Sequence, residues 1–124
     1  MGKKSDTFSN RIRVSKESAD KLKILKGRTG LLPNALCRIA FSVSMREQGI
    51  PDPKKFDKEG LEFNRSTLFG DQEEIFKIAS RSLRKKSKTD VELDEIIRAH
   101  INRGVQTLYA QVKGLPDLLA VALD

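Results

Sequence analysis

The spacing of apolar side chains changes period along the chain, and the changes mark its elements. Residues 8–15 alternate: Phe8, Asn10, Ile12 and Val14 fall on one side, and Ser9, Arg11, Arg13 and Ser15 on the other. Strand side chains point to opposite faces in turn, so this run predicts a short strand with one mainly apolar and one basic face. From Ser15 the period becomes helical. Ala19, Leu22 and Leu25 recur at helical spacing, flanked by Ile24 and Leu32. Ser15 is a suitable N-cap, Glu17 complements the positive helix end, and Gly30 is a natural stop. Pro33 opens a second helix, with Asn34 available to a first-turn amide. Leu36, Ile39, Ala40 and Val43 follow the i, i+3, i+4, i+7 rule, and Gly49 ends the run.

Residues 49–71 are punctuated by Pro51, Pro53, Gly60 and Gly70 but hold Phe56, Leu61, Phe63, Leu68 and Phe69. Those side chains need burial, so the stretch is expected to be an ordered loop or a set of short turns. A third helix is predicted over 72–87, with Ile75, Phe76, Ala79 and Leu83 on one face. Thr89 and Glu92 match a capping box for a long helix reaching about Lys113. Its stripe is Leu93, Ile97, His100, Ile101, Val105, Leu108 and Val112. Gly104 within it predicts a bend or the close approach of a neighbouring helix. The last ten residues, LPDLLAVALD, are too apolar for one face of a short helix and suit a core or a subunit interface. The fold class is therefore mainly α: a short N-terminal strand followed by a helical, homo-oligomeric domain. The 124 residues make one domain, 1–124, in three parts: a basic strand–helix–helix part (10–48), the loop (49–71), and a helical scaffold and oligomerisation part (72–124).

Several chemistries lose their footing here. No apolar run is long enough to span a bilayer, and residues 1–9 are polar and basic without a signal-peptide core. Asp6 stands where a myristoylation pattern needs Ser or Thr, so a cytoplasmic location is expected. A single Cys and a single His exclude an intrachain disulfide and a structural Cys/His zinc site within one chain. Asp52, Asp57, Glu59, Glu62 and Asp71 do not form a calcium-loop pattern, and no cofactor is expected. Cys37 reads as a small buried hydrophobe and His100 as a packed histidine. Neither belongs to a nucleophile–base set, so no enzyme is expected.

Charge changes the picture most. Residues 1–48 carry eleven basic and four acidic side chains, the whole net charge of +7; the remainder holds thirteen of each sign. A basic block on a neutral remainder is a footprint for polyanion binding, although a solvated basic surface would read the same way. No second strand is evident near the first. The economical partner is the same strand of a second copy, giving a two-stranded ribbon from which Arg11 and Arg13 project, as in ribbon-helix-helix DNA-binding dimers. In such dimers the amide end of the second helix anchors a phosphate. Here that end, Gly30 to Asn34, contains Pro33, which lacks an N–H. Basic residues at the end of the third helix, Arg81, Arg84, Lys85, Lys86 and Lys88, complement the helix dipole or contact a second phosphate.

The run NRIRVSKESADKLKILKGRTGL-PNALCRIAFSVSM, followed by GIPDP and GLEFNRSTLFG, resembles the DNA sulfur modification protein DndE family, from Asn10 to about Leu83. That resemblance implies a small basic protein, not known as a catalyst, within a system that replaces a non-bridging phosphate oxygen of DNA with sulfur. The other members of the system resemble a cysteine desulfurase, an iron–sulfur protein and an ATPase. It further implies a homotetramer that binds double-stranded DNA, preferring nicked duplex, through surface lysines. By position that role falls on Lys21, Lys23 and Lys26, with Lys16 and Arg28 beside them and Arg11 and Arg13 on the strand. Two other readings stay open. One is a ribbon-helix-helix repressor or antitoxin reading an operator through Arg11 and Arg13. The other is an assembly protein for the modification complex that touches DNA incidentally.

Overall fold

The computed structural model describes residues 8–123; Lys3, Lys4 and Asp6, counted in the basic block, lie outside the described residues. Its elements in chain order are β1 (Arg11–Arg13), α1 (Lys16–Thr29), α2 (Pro33–Met45), β2 (Glu62–Asn64), α3 (Arg65–Phe69), α4 (Glu73–Lys86), α5 (Leu93–Gln111) and α6 (Leu115–Leu123). Single 3₁₀ turns occupy Pro53–Lys55 and Gly70–Gln72. The protein is mainly helical with a short N-terminal strand, as the apolar periods predict, and carries one small two-stranded ribbon.

The core is organised around α5, which is buried on nearly every side. Leu93, Ile96, Ile97, Ile101, Val105 and Leu108 are all sealed from solvent. A side chain of that size contributes roughly 1.5–3 kcal/mol on full burial. α2 crosses α5 at Gly104, where any side chain would collide with the backbone of Ala40. Of the two readings of that glycine, close approach is the one realised. Cys37 is fully buried beside this seam, and burial pushes its thiol pKa up, away from nucleophilic use.

α1 begins and ends as its sequence indicates. The Ser15 hydroxyl accepts the Ser18 N–H, and Gly30 (φ 78°) closes the helix with its N–H donated to the Lys26 carbonyl. α2 opens with Pro33 and has no side-chain cap. Asn34 donates instead to the Thr67 carbonyl, tying α2 to α3. The helix stops at Met45, short of Gly49, because Arg46 and Glu47 turn back onto the Val43 and Ser44 carbonyls.

Four further expectations are corrected. β1 finds its partner within the chain: it pairs antiparallel with β2, Ile12 opposite Phe63 and Arg11 opposite Asn64. The stretch 49–71 therefore holds a strand and a five-residue helix as well as turns. The sequence distance between the strands hid this pairing. The Thr89–Glu92 box does not cap α5, because the Thr89 hydroxyl accepts the Val91 N–H and the helix starts only after Glu92. Ile24, Leu32 and Ile75 are exposed rather than packed inward.

His100 is buried in a polar network between α2 and α5. Arg103 Nε donates to Ser44 Oγ at 2.8 Å, and the Ser44 hydroxyl lies 2.9 Å from His100 Nδ1. Burial, and then the charge of Arg103, lower the imidazole pKa to about 4. The unfolded chain thus takes up a proton near pH 6.5 that the folded chain refuses. Stability is full above about pH 6.5, falls as pH drops toward about 4, and levels off below, a loss on the order of 3 kcal/mol from this group. Urea midpoints of wild type and His100→Gln at pH 7 and pH 4.5 check this: the variant is expected to lose less on acidification, and parallel losses would contradict it.

Candidate nucleic-acid interface

The expected site residues divide into three groups. α1 buries Ser18, Leu22, Leu25 and Thr29 against the core. At about 100° per residue the opposite face carries Lys16 and Lys23, two turns apart, with Asp20 between them and Gly27 beyond Lys23. Lys26 stands on one flank. All three lysines are exposed and, among the described residues, no carboxylate pairs with them.

Lys21 and Arg28 lie on the other flank and are engaged there. Lys21 pairs with Glu17 at 3.1 Å and lies 5.1 Å from the centroid of the Tyr109 ring. Arg28 sits over the same ring at 4.9 Å and donates to the carbonyls of Tyr109 (3.2 Å) and Val112 (3.1 Å). Those carbonyls end α5, so Arg28 neutralises its negative terminus and joins α1 to it. Tyr109, invisible as a site residue in sequence, is what separates these two cations from the other three.

Arg11 and Arg13 form the third group. They project together from β1, as alternation predicts, and both hold Glu62 of β2 at 2.7 Å. Their hydrogen bonds, Arg13 foremost, hold the Glu62 carboxyl below the usual carboxylate range. The side chains are 66% and 47% exposed, so solvent screens each pair. Relative to the sequence reading, a carboxylate now stands within the arginine pair.

The structure also brings Lys55 to the first turn of α1, into a small cleft with Ser15, Glu17, Asp57 and Gln106. The Asp57 carboxylate accepts the Lys16 N–H at 2.9 Å. That contact spans 41 positions, beyond any spacing argument. Among the described residues no group of three or more His, Cys, Asp or Glu side chains is placed to hold a metal ion, and no helix is long and apolar enough to cross a membrane.

This small, mainly helical fold with its two-stranded ribbon is shared with solved structures of proteins involved in DNA phosphorothioation. A crystal structure of DndE from Escherichia coli B7A, described as involved in DNA phosphorothioation modification, superimposes with a TM-score of 0.70 at 27% identity. It covers 82% of this chain and 98% of that one. A DndE glycine-to-lysine mutant matches in fold with a TM-score of 0.68 at 24% identity, covering 82% and 99%. No curated protein sequence matches the chain. The family model of DNA sulphur modification protein DndE matches residues 11–114, and the chain belongs to the DndE family, which takes part in DNA phosphorothioation. The matched region ends before α6.

Proposed function

We propose that this protein is a non-enzymatic, DNA-binding subunit of the phosphorothioation machinery that grips the duplex backbone and prefers a nick. The observation that carries the reading is the set Lys16, Lys23 and Lys26: exposed, unpaired among the described residues, and within the first 48 residues, which hold all the net charge. Ammonium groups meet phosphates as point charges, without sequence readout. A nick lowers the cost of bending the duplex, so a surface that contacts only backbone favours nicked DNA. Operator reading by Arg11 and Arg13 is less supported, since both arginines would have to leave Glu62. The protein's partners in this reading are DNA, the other proteins of the system and further copies of itself, up to a tetramer. Support for self-association comes from an apolar groove of about 560 Å³ between α2 and α4, lined by Phe41, Met45, Ile75, Phe76 and Ala79. Ile75 at its rim is 66% exposed.

The test is fluorescence-anisotropy titration of intact and nicked duplexes across a salt series, with light scattering on the same samples. Tighter binding to nicked DNA is expected. Replacing Lys16, Lys23 and Lys26 with Gln is expected to flatten the log–log salt slope by about 2–3. Equal affinity for both duplexes would refute the nick preference; an unchanged slope would remove the α1 lysines from the interface; a monomer in scattering would refute self-association.

A further inference from the structure

We propose that the corner between α4 and α5, carrying Lys85, Lys86 and Lys88, is a second site for duplex phosphates, apart from the α1 face. It rests on the DNA-binding reading above. α4 is segregated by charge, with Glu73 and Glu74 in its first turn and Arg84, Lys85 and Lys86 in its last. The acids are engaged where they stand: Glu73 holds Arg65 and Lys77, and Glu74 holds Lys77. At the other end Lys85, Lys86 and Lys88 are exposed, and no carboxylate pairs with them among the described residues. Asp90 is exposed two positions after Lys88, and Glu92 is half-buried.

The backbone at Lys88 makes a separate argument. α4 ends in a Schellman turn: the Thr89 N–H donates to the Arg84 carbonyl and the Lys88 N–H to the Lys85 carbonyl, both at 3.2 Å. This turn needs a left-handed residue where Lys88 stands, at φ 54°. Glycine is the usual occupant, because a side chain strains the backbone in that region. Among the described residues Lys88 is the one non-glycine with positive φ. Complementing the helix dipole does not explain it, since Lys85 and Lys86 already supply cations in the last turn and the dipole's effect fades beyond it. A cation kept at a strained position, beside two unpaired ones, fits a polyanionic ligand. Three separate ammonium groups suit a row of phosphates better than one planar carboxylate.

Position gives the site its role. α4 leads into Leu93 at the start of α5, whereas α1 lies along its second half, from Ser15 beside Asn102 to Arg28 at Val112. Measured along α5, the α1 face is therefore about 14–28 Å from the corner, or about 4–8 phosphates of one strand. One subunit can then hold a duplex at two places, on either side of a joint that a nick makes flexible.

The experiment is anisotropy titration of a labelled nicked duplex across a salt series. It compares wild type, the Lys85→Gln/Lys86→Gln/Lys88→Gln variant, the Lys16→Gln/Lys23→Gln/Lys26→Gln variant, and Lys88→Gly. The corner variant is expected to bind about 10-fold or more weakly, with a salt slope smaller by about 2–3. Lys88→Gly is expected to raise Tm by about 2–5 °C while weakening binding about 2–5-fold, a split that damage to the fold does not produce. A corner variant with wild-type slope, beside an α1 variant that binds weakly, would overturn this site and leave the α1 reading standing. So would a corner variant that binds DNA normally but no longer holds another protein of the system, which would make the corner a protein contact. Absence of binding by wild type would overturn both.

Discussion

Gly104→Ala is expected to lower the unfolding free energy by about 3 kcal/mol or more, read from urea denaturation. The new methyl would lie 2.8 Å from Ala40 Cα and closer still to that residue's carbonyl carbon and oxygen. These are backbone atoms of α2, so no side chain can swing aside. Relief requires α2 to move off α5, and the moving face carries Leu36, Cys37, Ala40, Phe41 and Ser44, all buried. Helix propensity predicts the opposite sign, because Ala stabilises a helix interior by about 1 kcal/mol over Gly. The measurement therefore decides between a helix-local and a packing account. An unchanged or raised midpoint would mean that α2 does not cross at Gly104.

Arg98→Met is expected to cost about 3 kcal/mol and to release the segment 53–57. Arg98 is 3% exposed, yet each of its N–H-bearing nitrogens has partners. Nε and one terminal nitrogen bind the Glu95 carboxylate at 3.1 and 3.2 Å. The carbonyls of Pro53, Phe56 and Asp57 accept the remaining bonds at 2.9–3.2 Å. Methionine fills similar space but leaves those carbonyls unmatched and Glu95 with Lys58 alone, at 3.4 Å. Arg98→Lys should not restore the loss, since an ammonium cannot reproduce the planar fork. Hydrogen exchange should localise the change to residues 52–60 and, through the Asp57–Lys16 contact, to the first turn of α1. Protection equal to wild type there would refute the anchoring role.

These two residues show where the one-dimensional pattern stops. Gly104 was legible as either a bend or a close approach, and only the position of Ala40 chose between them. Arg98 was not legible at all: an arginine one place from the apolar stripe reads as solvated, and its three carbonyl partners lie more than 40 positions away. The α1 lysines were legible as a basic block. Their division into an open set and a set held over Tyr109 was not, because it depends on which flank of α1 faces α5.

The chain's own order of residues determined the elements bounded by local chemistry: α1 between Ser15 and Gly30, the opening of α2 at Pro33, the stripe of α5, and the basic first third. Caps, periodicity and charge act within a few residues and can be read along a line. Tertiary structure decided what joins distant segments: β2 as the partner of β1, Glu62 between Arg11 and Arg13, Asp57 at the start of α1, and the burial of His100 against Ser44 and Arg103. Each of those contacts forms only when the helices pack around α5, since a short strand or a lone cation has no local preference strong enough to select its partner.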